Sequence, residues 1–244
     1  MNKLIKSEIN KDKHITGFWI FILGIVVLMY TNPLFSEDKS VMGFVDYQAS
    51  ELFPILIMMT TAFLTGRGFS YRTNMYDIMI GNRPIKIIVS KVLSIGFLTT
   101  AIVSAASLSC FFVSCAIDSS HFSDALIKEF VVLVVILRAA FTGVLMTLVF
   151  RSLASIAFVY IRIMLESIIL LIYGSIHGNL NNIMDTFRGV PRIFDILFYS
   201  NQLSSISEKA GISSETVVNV FGGLGISMIA WGAIAYYLYK HRDF

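Results

Sequence analysis

Charged residues are scarce in this sequence. They account for 14% of its 244 residues, against about 25% in an ordinary soluble domain. Hydrophobic residues account for 56%, and the mean hydropathy is +0.75. Because so few charges cannot cover the surface of a soluble protein of this length, a large part of the surface must face hydrocarbon. The composition therefore predicts an all-α polytopic membrane protein, with residues 1–244 forming a single transmembrane domain.

The sequence also lacks the motifs of the common enzyme classes. It contains no GxxxxGK[ST] phosphate-binding loop, no HExxH, no GxSxG and no CxxC. Cys110 and Cys115 are five residues apart in one apolar run, so on a helix they point in different directions and cannot form a disulfide. The histidines lie apart, at predicted membrane boundaries, and the net charge of +3 is too small to indicate nucleic acid. We therefore expect no enzyme activity, no metal site, no cofactor bound by this chain itself and no nucleic-acid partner.

Long apolar runs are what the sequence has instead, and they predict six transmembrane helices. The predicted spans are residues 14–33, 48–66, 92–117, 125–150, 152–175 and 216–239. The second span is short unless Tyr47–Ser50 belongs to it, and residues 37–51 before it form an acidic loop on the outer side. Six spans place both chain ends on the same side of the membrane.

The basic residues predict which side that is, because loops rich in Lys and Arg stay in the cytoplasm. Of the 19 basic residues, 12 fall on the side of the chain ends, 5 on the opposite side and 2 within spans. Both termini are therefore expected in the cytoplasm. Residues 1–13 form either a short amphipathic helix on the inner membrane surface, with lysines at the lipid head groups, or a basic tail. The apolar run that follows is too long for a cleavable signal peptide.

Three charged residues lie deep inside the apolar runs of the predicted spans: Arg138, Arg162 and Glu166. Such residues are costly in a membrane unless they are paired. At about 1.5 Å per residue from the inner ends of their helices, Arg162 lies roughly 15 Å deep, Arg138 roughly 18 Å and Glu166 roughly 21 Å. We expect Glu166 to neutralise one or both arginines. This cluster is interpreted either as a structural ion pair or as a site where an arginine meets an anionic group of a transported substrate.

The longest outer segment lies between the fifth and sixth spans. Within residues 179–200, two short apolar clusters flank Gly189-Val190-Pro191, and interleaved charges exclude a plain seventh span. Two structures fit this pattern: a pair of short helices that enter the outer leaflet, or an interfacial helix that lies flat.

A short basic segment joins the second and third spans, and we expect another protein to move the chain through it. It contains an apolar patch (Met75, Ile78 and Met79) that Gly81 and Pro84 end. Residues 81–91, GNRPIKIIVSK, resemble the segment that precedes the third span in ABC type 2 exporter permeases. The ending YYLYKHRDF, residues 236–244, is similar to the usual close of that family.

The resemblance covers the whole chain at the level of topology and about 30 residues at the level of motif. It implies a permease that pairs with an identical or related second permease and binds two cytoplasmic ABC ATPase subunits, which hold ATP and Mg²⁺. Residues 71–80 take the place of the family's coupling helix, although Tyr71 and Arg72 stand where the family often has a Glu. The residues that the resemblance assigns to ATPase coupling are Tyr71, Arg72, Asn74, Met75, Tyr76, Asp77, Ile78, Met79, Gly81 and Arg83. Those it assigns to an outer gate are Phe187, Gly189, Pro191, Phe194 and Phe198.

In its small size the chain resembles permeases of bacterial peptide exporters, including those for antimicrobial peptides. The resemblance implies a place in the bacterial cytoplasmic membrane, in contact with lipids. A lipid or a hydrophobic drug is the alternative substrate. The alternative function is an ion-coupled secondary transporter that uses Arg138, Arg162 and Glu166 without an ATPase.

Overall fold

A computed structural model describes residues 16–35, 40–70, 83–118, 121–177, 192–207 and 212–241. Every regular element in these ranges is a helix, and four of the helices are long and apolar enough to cross a membrane: α3, α4, α5 and α9. In chain order the helices are α1 (Thr16–Phe35), α2 (Val41–Gln48), α3 (Leu52–Ser70), α4 (Pro84–Ile117), α5 (Phe122–Phe150), α6 (Ser155–His177), α7 (Arg192–Leu197), α8 (Tyr199–Ser207) and α9 (Ser214–His241). These apolar helices indicate a membrane protein.

Helix α5 lies at the centre of the bundle. Its buried residues fall on every side of the helix and include the consecutive Val134, Val135 and Ile136, as expected for a helix with neighbours all round. Its most extensive contacts are with α3 and α9, and it also packs against α2, α4, α6 and α8. Gly143 lets α3 approach closely, because a Cβ atom there would lie 2.5 Å from the carbonyl oxygen of Met58.

Successive long helices alternate in direction. Helices α3, α5 and α9 run parallel to one another, and α1, α4 and α6 run the opposite way. Two contacts along each helix give these directions. They are Thr61 with Gly143 and Gly66 with Leu153 for α3, Phe130 with Phe221 and Arg151 with Leu238 for α9, Phe21 with Phe63 and Leu28 with Tyr47 for α1, and Gly96 with Phe141 and Ser107 with Glu129 for α4. For α6 they are Ser155 with Thr147, and Arg162 at the same Tyr199 ring as Arg138. A chain that crosses a membrane six times must reverse direction at each crossing, and these helix directions agree with that. The number of crossings itself stays a prediction.

The prediction of an acidic loop over residues 37–51 is wrong for Val41–Gln48, which form a helix. Helix α2 begins there, with the Ser40 hydroxyl accepting a hydrogen bond from the backbone N–H of Gly43 at 3.0 Å. It buries Val41, Phe44 and Val45, and this spacing places all three on one helical face. The charges of the stretch concealed that face in the sequence. The second long helix therefore begins at Leu52, after a break, and not at residue 48.

The third long helix begins eight residues before the predicted start at residue 92. Pro84 occupies the first turn of α4, where its missing N–H costs nothing. Ile87 and Ile88 are buried in the first two turns. The end of the basic segment predicted between the second and third spans, residues 84–91, therefore belongs to the bundle. The helix passes through a π-helical turn at Val92–Gly96.

The other long helices lie within three residues of their predicted bounds at each end. Helix α1 has 20 residues, Thr16–Phe35, and includes the apolar stretch Trp19–Thr31. Residues 1–15, with the predicted amphipathic helix, and residues 178–191 of the outer segment lie outside the described residues. The end of the outer segment forms the two short helices α7 and α8, and α8 buries Tyr199, Gln202 and Leu203.

Candidate functional site

Arg138 is fully buried at the centre of the bundle on α5. Its Nη1 donates to the side-chain oxygen of Gln202 on α8 at 2.6 Å, and its Nη2 donates to the carbonyl of Leu197 on α7 at 2.6 Å. Its Nε donates to the hydroxyl of Ser227 on α9 at 3.1 Å. All three acceptors are neutral, and the guanidinium also lies 4.2 Å from the ring centre of Tyr199. One side chain therefore connects α5, α7, α8 and α9.

Arg162 and Glu166 form an ion pair on α6, with 3.2 Å between Nε and Oε1. The second oxygen of Glu166 accepts a hydrogen bond from the backbone N–H of Tyr199 at 2.9 Å. The Tyr199 ring lies 5.2 Å from the Arg162 guanidinium, so it stands beside both arginines. Of the two pairings expected for Glu166, the structure contains the one with Arg162. In the described part of the chain no carboxylate lies within ion-pair distance of Arg138.

A groove of about 410 Å³ separates α6 from α9, a volume typical of ligand pockets. Arg162, Glu166 and Ser227 lie in its lining and supply its charged and hydroxyl groups. The apolar lining residues are Met146, Phe150, Phe158, Ile161, Leu165, Ile169, Leu197, Phe198, Ile226, Ala230 and Trp231. Several of these side chains are half exposed on the outer surface of the bundle, among them Ile161 and Leu165. The groove is therefore open to the side.

The floor of the groove contains Arg162 and Glu166. The buried guanidinium of Arg138 lies behind them, against the same Tyr199 ring as Arg162. Nη1 of Arg162 is buried and has no hydrogen-bond partner among the described residues. A buried donor without a partner is costly. The Arg162 side chain as a whole is 19% exposed and lines the groove, so its guanidinium group can take a further acceptor there.

Only part of the predicted outer gate lies in the described residues. Phe194 and Phe198 stack on each other with 4.8 Å between ring centres, and Phe198 lines the end of the groove. Phe187, Gly189 and Pro191 lie outside the described residues. The structure thus places one of the five predicted gate residues at the groove.

Most of the predicted coupling residues, from Tyr71 to Gly81, also lie outside the described residues. Arg83 is exposed and precedes the first turn of α4. The helices on either side of the segment are described, however. Helix α3 packs against α6, and the start of α4, Pro84–Lys91, packs against α9. The segment therefore joins two helices that each contact one wall of the groove.

The sequence reasoning missed a second polar cluster. Lys128 on α5 is buried and pairs with Asp46 on α2 at 2.9 Å. The neighbouring Glu129, also buried, accepts a hydrogen bond from the hydroxyl of Ser107, which also lies 2.6 Å from the side-chain oxygen of Gln48. Two of these partners belong to α2, so predicting a loop there removed the signal for the cluster.

These two buried charges on α5 are expected to differ in their effect on stability. Lys128→Met leaves the Asp46 carboxylate without its cation and should lower the free energy of unfolding by about 1–3 kcal/mol. Glu129→Gln keeps an acceptor for Ser107 and removes a charge that no described cation neutralises, so it should cost less than about 1 kcal/mol. Thermal unfolding of the two purified variants in one detergent measures the difference. A larger loss for Glu129→Gln would contradict this account.

No group of three or more His, Cys, Asp and Glu residues that could hold a metal ion occurs in the ranges that the structure describes. The groove combines apolar walls with the Arg162–Glu166 ion pair on its floor, an arrangement suited to recognising an amphipathic molecule. Comparison with protein-family models, with curated proteins and with solved structures finds no match to this chain.

Proposed function

We propose that this chain is the permease subunit of an ATP-driven ABC exporter and that the groove between α6 and α9 forms part of its substrate pathway. The observation that carries the proposal is the packing of the two helices that precede and follow residues 71–82. It joins α3, which packs against α6, to the start of α4, which packs against α9. A force applied to this segment from the cytoplasm would act on both walls of the groove.

The lining of the groove supports an amphipathic substrate. Its walls are apolar, and its floor has the Arg162–Glu166 ion pair at the level of buried Arg138. Intramembrane charges of this kind are typical of substrate pathways. The resemblance to permeases of peptide exporters favours an antimicrobial or other amphipathic peptide, and the apolar walls equally accept a lipid or a hydrophobic drug.

The energy for transport comes, in this proposal, from two copies of a partner ATPase, because the chain has no phosphate-binding loop. The apolar patch of Met75, Ile78 and Met79 would enter a groove on the ATPase, as amphipathic helices do in helix-binding grooves. Arg83, exposed at the start of α4, would meet the same partner. A second permease, identical or related, would complete the pathway.

Charging the apolar patch tests the coupling. Tagged full-length chain is purified from its native host in mild detergent, and ATP hydrolysis by the eluate is measured. We expect hydrolysis with the unaltered chain and its loss to background with Ile78→Glu, because a buried carboxylate opposes docking.

Ile117→Glu is the matched control, since Ile117 is exposed at the opposite end of α4. It introduces the same charge and should leave hydrolysis unchanged. The absence of hydrolysis with the unaltered chain, or equal rates for the unaltered chain and Ile78→Glu, would refute the proposal.

The second candidate is an ion-coupled carrier, and Glu129 is the observation that favours it. This carboxyl is buried, and its only hydrogen-bond partner in the described ranges is Ser107. Buried carboxyl groups inside a membrane domain are typical of proton-coupled transport. Substrate accumulation in proteoliposomes driven by a proton gradient, without any ATPase and abolished by Glu129→Gln, would support the carrier over the permease.

A further inference from the structure

The walls of the groove are suited to a hydrocarbon chain. Aliphatic and aromatic side chains from α6 and α9 face each other across it, among them Ile161, Leu165, Ile226 and Trp231. Ile161, Leu165 and Ile226 are each 44–50% exposed, so a molecule can reach the groove from the side, through the hydrocarbon of the bilayer. Burial of each methylene group of such a molecule is favourable.

The floor of the groove favours an anion. Two cations, Arg162 in the lining and Arg138 behind it, lie close to the Glu166 carboxylate, and the hydrogen-bond partners of Arg138 are neutral. The carboxylate of Glu51 also acts on Glu166, but it does not line the groove. Nη1 of Arg162 has no partner among the described residues. Hydrogen bonds between a guanidinium and an anionic oxygen are among the strongest in proteins.

The same lining disfavours an extended peptide. Each residue of a peptide brings one backbone donor and one acceptor that need partners away from water. Besides Arg162, Glu166 and Ser227, the side chains that line the groove are apolar apart from the indole N–H of Trp231. An acyl chain makes no such demand, because all its polar atoms are at one end.

We propose that the groove binds a single-chain anionic amphiphile from the bilayer, with its hydrocarbon chain between α6 and α9 and its anionic group on the partly exposed guanidinium of Arg162. This narrows the substrate class of the proposed permease and depends on that function only for its physiological meaning. Binding itself is a property of this chain alone and needs no ATPase.

Trp231 provides a direct measurement, because it lines the groove and the chain has only two tryptophans. Trp19→Phe leaves Trp231 as the only indole. This protein is placed in nanodiscs of phosphatidylcholine and titrated with an alkyl sulfonate that is brominated on its chain, or with the brominated alcohol of equal length. We expect saturable quenching by both probes, with the sulfonate binding about tenfold or more tightly than the alcohol.

Charge variants separate recognition of the anion from packing. Arg162→Gln should weaken binding of the sulfonate about tenfold and leave binding of the alcohol unchanged, which also shows that the groove is intact. Glu166→Gln should tighten binding of the sulfonate, because it removes the competing carboxylate. Lys240→Gln is the matched control: Lys240 is an exposed cation near the end of α9, and its loss should affect neither probe.

Three outcomes would overturn the proposal: equal affinities for sulfonate and alcohol, sulfonate affinity that Arg162→Gln leaves unchanged, or no saturable quenching of Trp231. A competition experiment could assign the groove to peptides instead. In that outcome an amphipathic peptide displaces the brominated sulfonate, whereas an unbrominated alkyl sulfonate at the same concentration does not. None of these results bears on the ATPase measurement with Ile78→Glu, so the two proposals can fail separately.

Discussion

Replacing Arg138 with methionine is expected to detach α7 and α8 from the bundle and to destabilise the protein by about 3–5 kcal/mol. Methionine fills a similar volume but donates no hydrogen bond. The side chain of Gln202, the carbonyl of Leu197 and the hydroxyl of Ser227 would lose a donor in the interior. A buried acceptor left without a partner costs about 1–3 kcal/mol, and the relief of burying one charge less offsets only part of that total.

Two measurements check this prediction: thermal unfolding in detergent, and limited proteolysis at α8. Lys86→Met is the control, because Lys86 is an exposed cation on α4 and its replacement removes a charge without creating a buried unpaired group. Its loss should lower stability less and leave α8 protected. If the two variants unfold alike, or if α8 stays protected in Arg138→Met, then Arg138 does not hold these helices.

Replacing Gly143 with alanine is expected to separate α3 from α5 and to cost about 2–3 kcal/mol. The added Cβ would meet the Thr61 hydroxyl and would lie 2.5 Å from the carbonyl oxygen of Met58 and 3.0 Å from its Cα. Backbone atoms cannot rotate away as a side chain can, so the helices must move apart. Overpacking of this kind costs about 1–3 kcal/mol, and backbone contact places this site at the upper end.

Gly225→Ala is the matched control for this prediction. Gly225 lies in the middle of α9, and a Cβ there has nothing within 4 Å. The substitution should be neutral or stabilise the helix by up to about 1 kcal/mol. The midpoints of thermal unfolding of the two alanine variants, measured in the same detergent, should therefore move in opposite directions or differ widely. Equal midpoints would show that α3 and α5 are not closely packed at Gly143.

Local patterns in the sequence located most of the helices and one part of the candidate site. The position of Arg162 four residues before Glu166 predicts that they share a helical face, and they form an ion pair. Depth counting placed Arg138 at a similar level, and Tyr199 lies against the guanidinium groups of both arginines. The shared face of Arg162 and Glu166 could be predicted because helix periodicity is the same in every helix, whereas their depth in a membrane stays a prediction.

The partners of Arg138 could not be predicted in this way. Ser227, Gln202 and Leu197 lie 89, 64 and 59 residues from it in the chain, and two of them are neutral polar side chains of a kind that occurs throughout the sequence. Helix α2 was missed for a related reason: its apolar face was short, and the charges beside it outweighed that signal. Packing against α5 decided that this stretch is a helix.

By itself the sequence determined that this is a membrane protein made of long helices, because a chain so poor in charge must satisfy its backbone groups locally. It also determined where most of those helices begin and end and which charges lie inside them. Only the tertiary structure decided which neutral groups hold Arg138, that α6 and α9 leave a groove between them, and that the two helices flanking residues 71–82 contact its two walls. Those features depend on contacts between distant residues, which no local pattern encodes.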